Sequence, residues 1–440
     1  MATKNPTPTS PGEPDKTSRV RWLRRMAGYA FWTALGAMLP VALDRLIIHP
    51  ILNQELGADV FGAFIWVLGI VNLFGNVAAN GFTLLLMRDH ARQEHAVATR
   101  MFRTALILTA ILSIVILPVA LGASALIANK TVLEHGWPLF TLLGVYALAR
   151  AGLLILILDL RFKRRFKAIL AMRAVEALIL LLIIAVAPTR SLWLIGIIYV
   201  ASVLVMAPIG AKFTSAIGSS GGWFDSRCCR ALLGGWYAGA LLTLIEQSNV
   251  YASRLVLGVF ADTSEVAILY AGTAMGNLFV MPVSIIATLV VSLLGGRRDF
   301  VFAGRKGVLY MAATFGLAII VGSASWVFGR WLVSTQYPDL ASQTLQFYHW
   351  IAIANGCVCV KLMISPVVLK YSSLRAIILL TTTSFLIQIA VLAVFIPRLG
   401  ATGAAMGLAS GSGAAMALWF ANALRMWRSA GTNSLHFRKI

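Results

Sequence analysis

Charge is what this sequence has least of. Only 12% of its 440 residues are Asp, Glu, Lys or Arg, and just 16 are acidic, far too few to cover the surface of a soluble globular chain. Cysteine is scarce as well. Cys228/Cys229 and Cys357/Cys359 match neither a disulfide framework nor a metal-ligand spacing, and they read as small apolar filler. The sequence contains no HExxH, P-loop, GxSxG or Cys/His constellation, and His49, His90, His95, His135, His349 and His436 are scattered over loops and helix ends. Metallohydrolase, ATP-driven pump and serine hydrolase chemistry therefore have no foothold, and no enzyme is expected. Long polar loops are missing too. The longest internal interruption, about residues 211–230, is a Gly/Ser-containing stretch that reads as a flexible linker rather than a domain.

What fills the chain instead is hydrocarbon: 59% of the residues are hydrophobic and the mean hydropathy is +0.83. Windows of about 20 residues give twelve candidate membrane helices, the first at about 27–49 and the last at about 403–424. The Pro/Ser/Thr-rich start ends in RVRWLRR, and the apolar run after it lacks an A-x-A site, so it reads as a retained span rather than a signal peptide. The net charge of +21 reads as topology and not as nucleic-acid binding, because the basic residues sit in short clusters between apolar runs. Twenty-nine of the 37 Lys and Arg residues fall in alternate loops and tails, four in the opposite loops, and four (Arg45, Arg150, Arg254, Lys361) inside spans. This asymmetry predicts that both termini are cytoplasmic.

The 211–230 interruption divides the helices into six and six. A shift of 209 residues brings Arg45 onto Arg254, Arg88 onto Arg297 and Pro188 onto Pro397, and puts Arg150 two residues from Lys361. An even number of spans per half gives both halves one orientation, related by an axis along the membrane normal. The expected fold is an all-α polytopic membrane protein, twelve transmembrane helices in two six-helix bundles related by a parallel pseudo-two-fold repeat. Its parts would be a disordered basic tail (1–26), an N-lobe (27–210), a cytoplasmic linker (211–230), a C-lobe (231–424) and a second basic tail (425–440).

Three stretches carry a family likeness: ELGADVFGAFIW after helix 1, SRLVLGVFADTSEVAILYAGTAM across helices 7 and 8, and IPRLGATGAAMGLASGSG entering helix 12. They resemble the polysaccharide (O-antigen) flippases of the multidrug/oligosaccharidyl-lipid/polysaccharide exporter superfamily. In that family an acidic residue usually precedes the helix 7 arginine and a glycine precedes the helix 8 tyrosine, where this chain has Ser253 and Ala267. The resemblance implies two bundles around a central cavity in a bacterial inner membrane. It also implies a lipid-linked (polyprenyl diphosphate) oligosaccharide carried from the cytoplasmic to the outer leaflet by alternating access, in surface polysaccharide or lipopolysaccharide biosynthesis. A cation-coupled drug or small-molecule antiporter of the same superfamily is the alternative, and a membrane polysaccharide polymerase ranks below both because it wants a larger outer loop. Expected partners are the lipid-linked oligosaccharide, membrane lipids and other polysaccharide-assembly proteins, with no nucleic acid. The chain is expected to act as a monomer, with no cofactor or metal beyond a coupling proton or sodium ion.

Ionisable groups at membrane depth are costly unless they face a bundle interior or a wet cavity, so they carry the site hypothesis. In helix 7, Glu246, Asn249, Ser253 and Arg254 share one side of the helix. Glu246 and Asp44 are ion-coupling candidates, while Arg45, Arg150, Arg254 and Lys361 are cationic candidates for a diphosphate at two depths. Competing readings stay open for each: Arg45 or Lys361 reaching to an interface, Arg150 pairing with Glu176 across the helix 4–5 hairpin, and Glu246 pairing with an arginine. Asn72, Asn76 and Asn80 recur every four residues on helix 2, and Asn277 lies in a similar stripe on helix 8 with Tyr270, Thr273, Ser284 and Thr288. Such stripes either meet sugar hydroxyls in a cavity or bond between helices.

Overall fold

A computed structural model of the chain describes residues 28–432, apart from 29–30, 33–34, 37, 90–94, 128–129, 164, 187–191, 215–223 and 296–304. The expected tail 1–26, the middle of the 211–230 linker and residues 433–440 of the second tail lie outside the described residues. Every regular element among the described residues is helical.

α1 is helical over 38–43, loosens into a π-helical turn at Asp44–Ile48, and continues as His49–Leu56 to a turn at Gly57, whose φ is 77°. Long apolar helices follow: α2 (Ala58–Asp89), α3 (His95–Ile127), α4 (Lys130–Phe162), α5 (Phe166–Val186) and α6 (Leu192–Phe213). After the linker come α7 (Ser226–Phe260), α8 (Thr263–Gly295), α9 (Arg305–Gln336) and α10 (Pro338–Tyr371). The remaining stretch, Leu374–Thr432, is two helices joined at Gly400, whose φ of 53° suits glycine. Gly403, Gly407 and Gly411 lie against Phe395, Leu392 and Gln388 in turn, so the two arms fold back on each other. They are α11 and α12.

α6 and α7 close on the linker from both sides, leaving 214–225 between them, a shorter gap than the glycine and serine content suggests. Asp225 caps α7 by accepting from the N–H groups of Arg227 and Cys228, and it pairs with Arg100 of α3 at 3.5 Å. Those backbone donors, that of Cys228 foremost, hold its carboxyl below the usual range.

The same helix pairs pack in both halves: α2 with α4, α3 with α4, α4 with α6 and α5 with α6 in the N-lobe, matched by α8 with α10, α9 with α10 and the α11–α12 hairpin with α10 in the C-lobe. Burial repeats in step. The apolar windows of α2 and α8 are each 72% buried, whereas those of α3 and α9 are 33% and 22% buried, so the first pair forms the centre and the second faces lipid. Exposed Ile114, Val119, Ile319 and Ile320 on α3 and α9 are at home only against hydrocarbon. Among the described residues nine helical stretches are long and apolar enough to cross a membrane, and one of them, Leu374–Met426, contains both arms of the α11–α12 hairpin. The architecture is two six-helix bundles related by a parallel repeat.

The lobes meet along α2, which packs on α7 and α8. Small residues set this seam: a Cβ at Gly239 would lie 2.7 Å from the carbonyl oxygen of Gly81, and one at Gly62 would overlap the carbonyl oxygen of Thr263. Without side chains between them the two backbones come into direct contact, the usual means of helix association where lipid supplies no hydrophobic drive. Trp66 adds a hydrogen bond from its Nε1 to the carbonyl of Leu255 at 3.0 Å.

Candidate functional site

The N-lobe encloses a cavity of about 180 Å³ bordered by α1, α2, α4, α5 and α6. Its ionisable lining is Asp44, Arg150, Arg161, Arg173 and Glu176, with Asn80, Thr83, Tyr146 and Tyr199 supplying neutral polar groups. Asp44 enters from the π-helical turn, a widening of the helix that re-aims side chains and recurs at functional positions. Its Oδ1 accepts from the Tyr199 hydroxyl at 3.4 Å. Arg150 donates to the hydroxyl of Tyr146, one helical turn away, and stacks over that ring. The buried Nε of Arg150 has no partner among the described residues.

The Arg150–Glu176 ion pair, one of the two readings open for Arg150, does not form. Glu176 instead accepts from Arg173 Nη1 at 2.6 Å, three residues earlier on its own helix. A partner at i−3 on one helix is held at contact distance by the helix itself, whereas a partner on a neighbouring helix depends on packing. Arg150 and Glu176 still border the same cavity.

Arg45 and Arg254 converge at the lobe contact. Arg45 Nη1 donates to the carbonyl of Ala274 at 3.3 Å, and Arg254 Nη2 donates to Oγ1 of Thr273, the preceding residue of α8, at 3.2 Å. The Arg254 guanidinium lies over the Tyr270 ring at 4.9 Å and near Tyr251 at 5.9 Å, so ring faces and a hydroxyl stand in for water around a buried cation. Neither arginine borders the N-lobe cavity. Lys361 is farther off, inside the C-lobe, with its Nζ 5.6 Å from the centre of the buried Trp419 ring.

The asparagines of α2 separate by role. Asn80 borders the cavity, Asn76 donates to Gln247 of α7 across the lobes at 3.4 Å, and Asn72 is half-buried. Asn277 is half-buried on α8, where Tyr270 of the same stripe meets His49 across the lobes and Thr273 holds Arg254 within the C-lobe. Glu246 is half-buried and makes no hydrogen bond or ion pair among the described residues. The four basic candidates therefore occupy three places instead of one central cavity.

Two tyrosines, Tyr146 and Tyr199, and one histidine escaped the sequence reading. His49 is buried, and its ring nitrogens meet Tyr199 (Nε2, 3.1 Å) and Tyr270 (Nδ1). Sequence spacing did hold signals for them: His49 follows Arg45 by four residues and Tyr146 precedes Arg150 by four, each pair on one helix face. Tyr199 offered none, because its partners are 150 and 155 residues distant.

Compared by sequence, the chain matches no protein-family model and no curated protein. Its structure is similar to that of a multidrug resistance MATE family transporter of the MOP superfamily in an inward-facing conformation, with a TM-score of 0.64 and 14% identity, covering 91% of this chain and 99% of that one. It is also similar to a MATE transporter of Vibrio cholerae, with a TM-score of 0.67 and 13% identity over 94% of this chain and 99% of that one. A MOP superfamily transporter from Pyrococcus furiosus, described as having a binding pocket of reverse polarity that suggests a different function, gives a TM-score of 0.67 and 16% identity over 92% and 95%. The likeness runs over nearly the whole length of both partners and shows a shared fold of two helical bundles.

Proposed function

We propose that a chain with this fold is an alternating-access exporter driven by a cation, closest in type to the drug and small-molecule antiporters. The observation that carries the reading is the carboxylate of Asp44 bordering an N-lobe cavity, hydrogen-bonded there to one phenol. A carboxylate at membrane depth is retained where an ion pathway needs it. That one of its structural neighbours is a multidrug resistance transporter supports the same reading. The lipid-linked oligosaccharide flippase becomes the second reading, because the basic candidates lie apart: Arg45 bonds across the lobes, Arg254 is held within the C-lobe and Lys361 sits against Trp419. What favours it still is the cavity lining, three arginines against two carboxylates, a balance suited to an anionic head group.

Reconstituted vesicles decide between them. With a proton or sodium gradient imposed, the chain should move a fluorescent organic cation against its gradient, and Asp44→Asn should lower that flux by about tenfold or more. Flux of a labelled lipid-linked oligosaccharide with none of the cation would install the second reading, and equal cation flux in Asp44→Asn would end the first. The proposed setting is a bacterial inner membrane with both termini inside, on the strength of the Lys/Arg asymmetry. A reporter fused at residue 220 should be cytoplasmic, and an outside reading there would reverse the orientation.

A further inference from the structure

A continuous run of hydrogen bonds leaves the N-lobe cavity and ends in the other lobe. The Tyr199 hydroxyl of α6 touches Asp44 Oδ1 at 3.4 Å and His49 Nε2 at 3.1 Å, and His49 Nδ1 meets the Tyr270 hydroxyl of α8. Phe61 and Phe64 of α2 wall the imidazole, with ring centres 6.1 Å away in each case. The charged groups that face it are Arg45 on its own helix and Arg254 on α7. In the neutral imidazole one ring nitrogen donates and the other accepts.

We propose that His49 is the residue through which cation occupancy at Asp44 is felt at the contact between the lobes, a role that rests on the coupling function assigned to Asp44 above. The argument is one of donors and acceptors. An ionised carboxylate only accepts, so Tyr199 must give its single O–H to Asp44. Tyr199 can then only accept from His49, which fixes the imidazole proton on Nε2. Nδ1 is left with a lone pair, and Tyr270 donates to it. Every hydrogen in the run points toward Asp44, and the bond across the lobes exists because of that order. When a proton or sodium ion occupies Asp44, the carboxylate is a weaker acceptor and Tyr199 is released from it. A Tyr199 hydroxyl that turns toward His49 meets another donor, and the tautomer that receives Tyr270 loses its support. The bond between lobes is thereby weakened from inside the N-lobe, with no group of the C-lobe binding the cation. Two phenylalanine walls keep water from substituting for either partner of the ring, so the change is not absorbed by solvent.

The test reads the lobes directly. Fluorophores on unnatural residues at the lipid-facing positions Ile114 of α3 and Ile319 of α9 report lobe-to-lobe distance in lipid nanodiscs, at low and high pH and with or without sodium. The wild-type ratio of the two distance populations should change by about fivefold or more between conditions. His49→Phe keeps a ring against Phe61 and Phe64 but removes both bonds, and Tyr199→Phe removes only the link to Asp44. Each should bring the change below about twofold, while a merely structural role for His49 would leave Tyr199→Phe responding like the wild type. If His49→Phe does not fold, Tyr199→Phe and Tyr270→Phe decide alone. A full response in any folded variant of the three, or none in the wild type, overturns the inference. The vesicle flux of Asp44→Asn is measured separately, so coupled transport with an unresponsive lobe distance would reject His49 and leave the exporter standing.

Discussion

The two lobes share helix pairs and burial but differ in what they bury. The N-lobe surrounds a cavity with Asp44, Arg150, Arg161, Arg173 and Glu176. Shifted by 209 residues, those five positions hold Ser253, Cys359, Lys370, Thr382 and Phe385 in the C-lobe, where Asn355 donates to Ser325 at 2.9 Å, Tyr310 donates to the carbonyl of Met363, and Lys361 leans on Trp419. The contrast is sharpest at the start of each half, where a 209-residue shift sets Asp44-Arg45 beside Ser253-Arg254. Both arginines go to the same place, neighbouring residues of α8, whereas the carboxylate exists on one side only. A repeated fold can thus keep its frame in duplicate and its ionisable chemistry in one copy. The duplicated parts are those that helix packing demands, and the unduplicated ones are costly to bury.

That contrast can be broken by removing the charges lobe by lobe and measuring thermal unfolding in detergent. Arg150→Met should have the largest effect, about 3–5 kcal/mol, because it takes a buried cation away from Asp44 in the cavity that both border. A loss no larger than that of a surface mutation would show that the cavity ions do not depend on one another. In the C-lobe, Asn355→Ala should cost about 1 kcal/mol, the usual scale for one hydrogen bond between membrane helices. Lys361→Met should come last, within about 0.5–1 kcal/mol, since an apolar chain of similar length fills the same space over Trp419 and only a cation–π contact is lost. If Lys361→Met proved as damaging as Arg150→Met, the C-lobe would hold an ionic site of its own and the contrast would fail. The series sharpens further if all three are repeated at low pH. A protonated Asp44 carries no charge for Arg150 to offset, so the Arg150→Met penalty should shrink there while the other two stay put.

Much of the frame could be read from the chain alone, and the reasons are physical. Runs of about 20 apolar residues must be helices where backbone groups have only each other to bond, and the six-and-six division follows from where those runs pause. The tight seam was less visible. Gly81 and Gly239 are two of 37 glycines, and only the register of α2 on α7 shows that these touch. In the candidate site, Asp44 and Arg150 were singled out because charge in an apolar run is conspicuous. Their companions were not, because tyrosine and histidine are amphipathic and raise no alarm inside a helix. Arg173 was counted with the basic loop, yet two turns into α5 it takes the carboxylate that one reading gave to Arg150. The cost of burying an ion is legible in sequence, but which neighbour offsets it depends on packing.

Glu265 stands in the first turn of α8, and its Oε2 accepts from the N–H of Ala401 at 2.7 Å, directly after the turn at Gly400. One carboxylate thereby serves as keystone for two corners, the turn between α7 and α8 and the fold between α11 and α12. Hinges at those corners would let helices splay one at a time. With the corners stapled together, a push delivered to α8 at Tyr270 is carried into the α11–α12 hairpin as leverage instead of being spent in bending, so the C-lobe responds to the N-lobe as a single oar and not as loose slats.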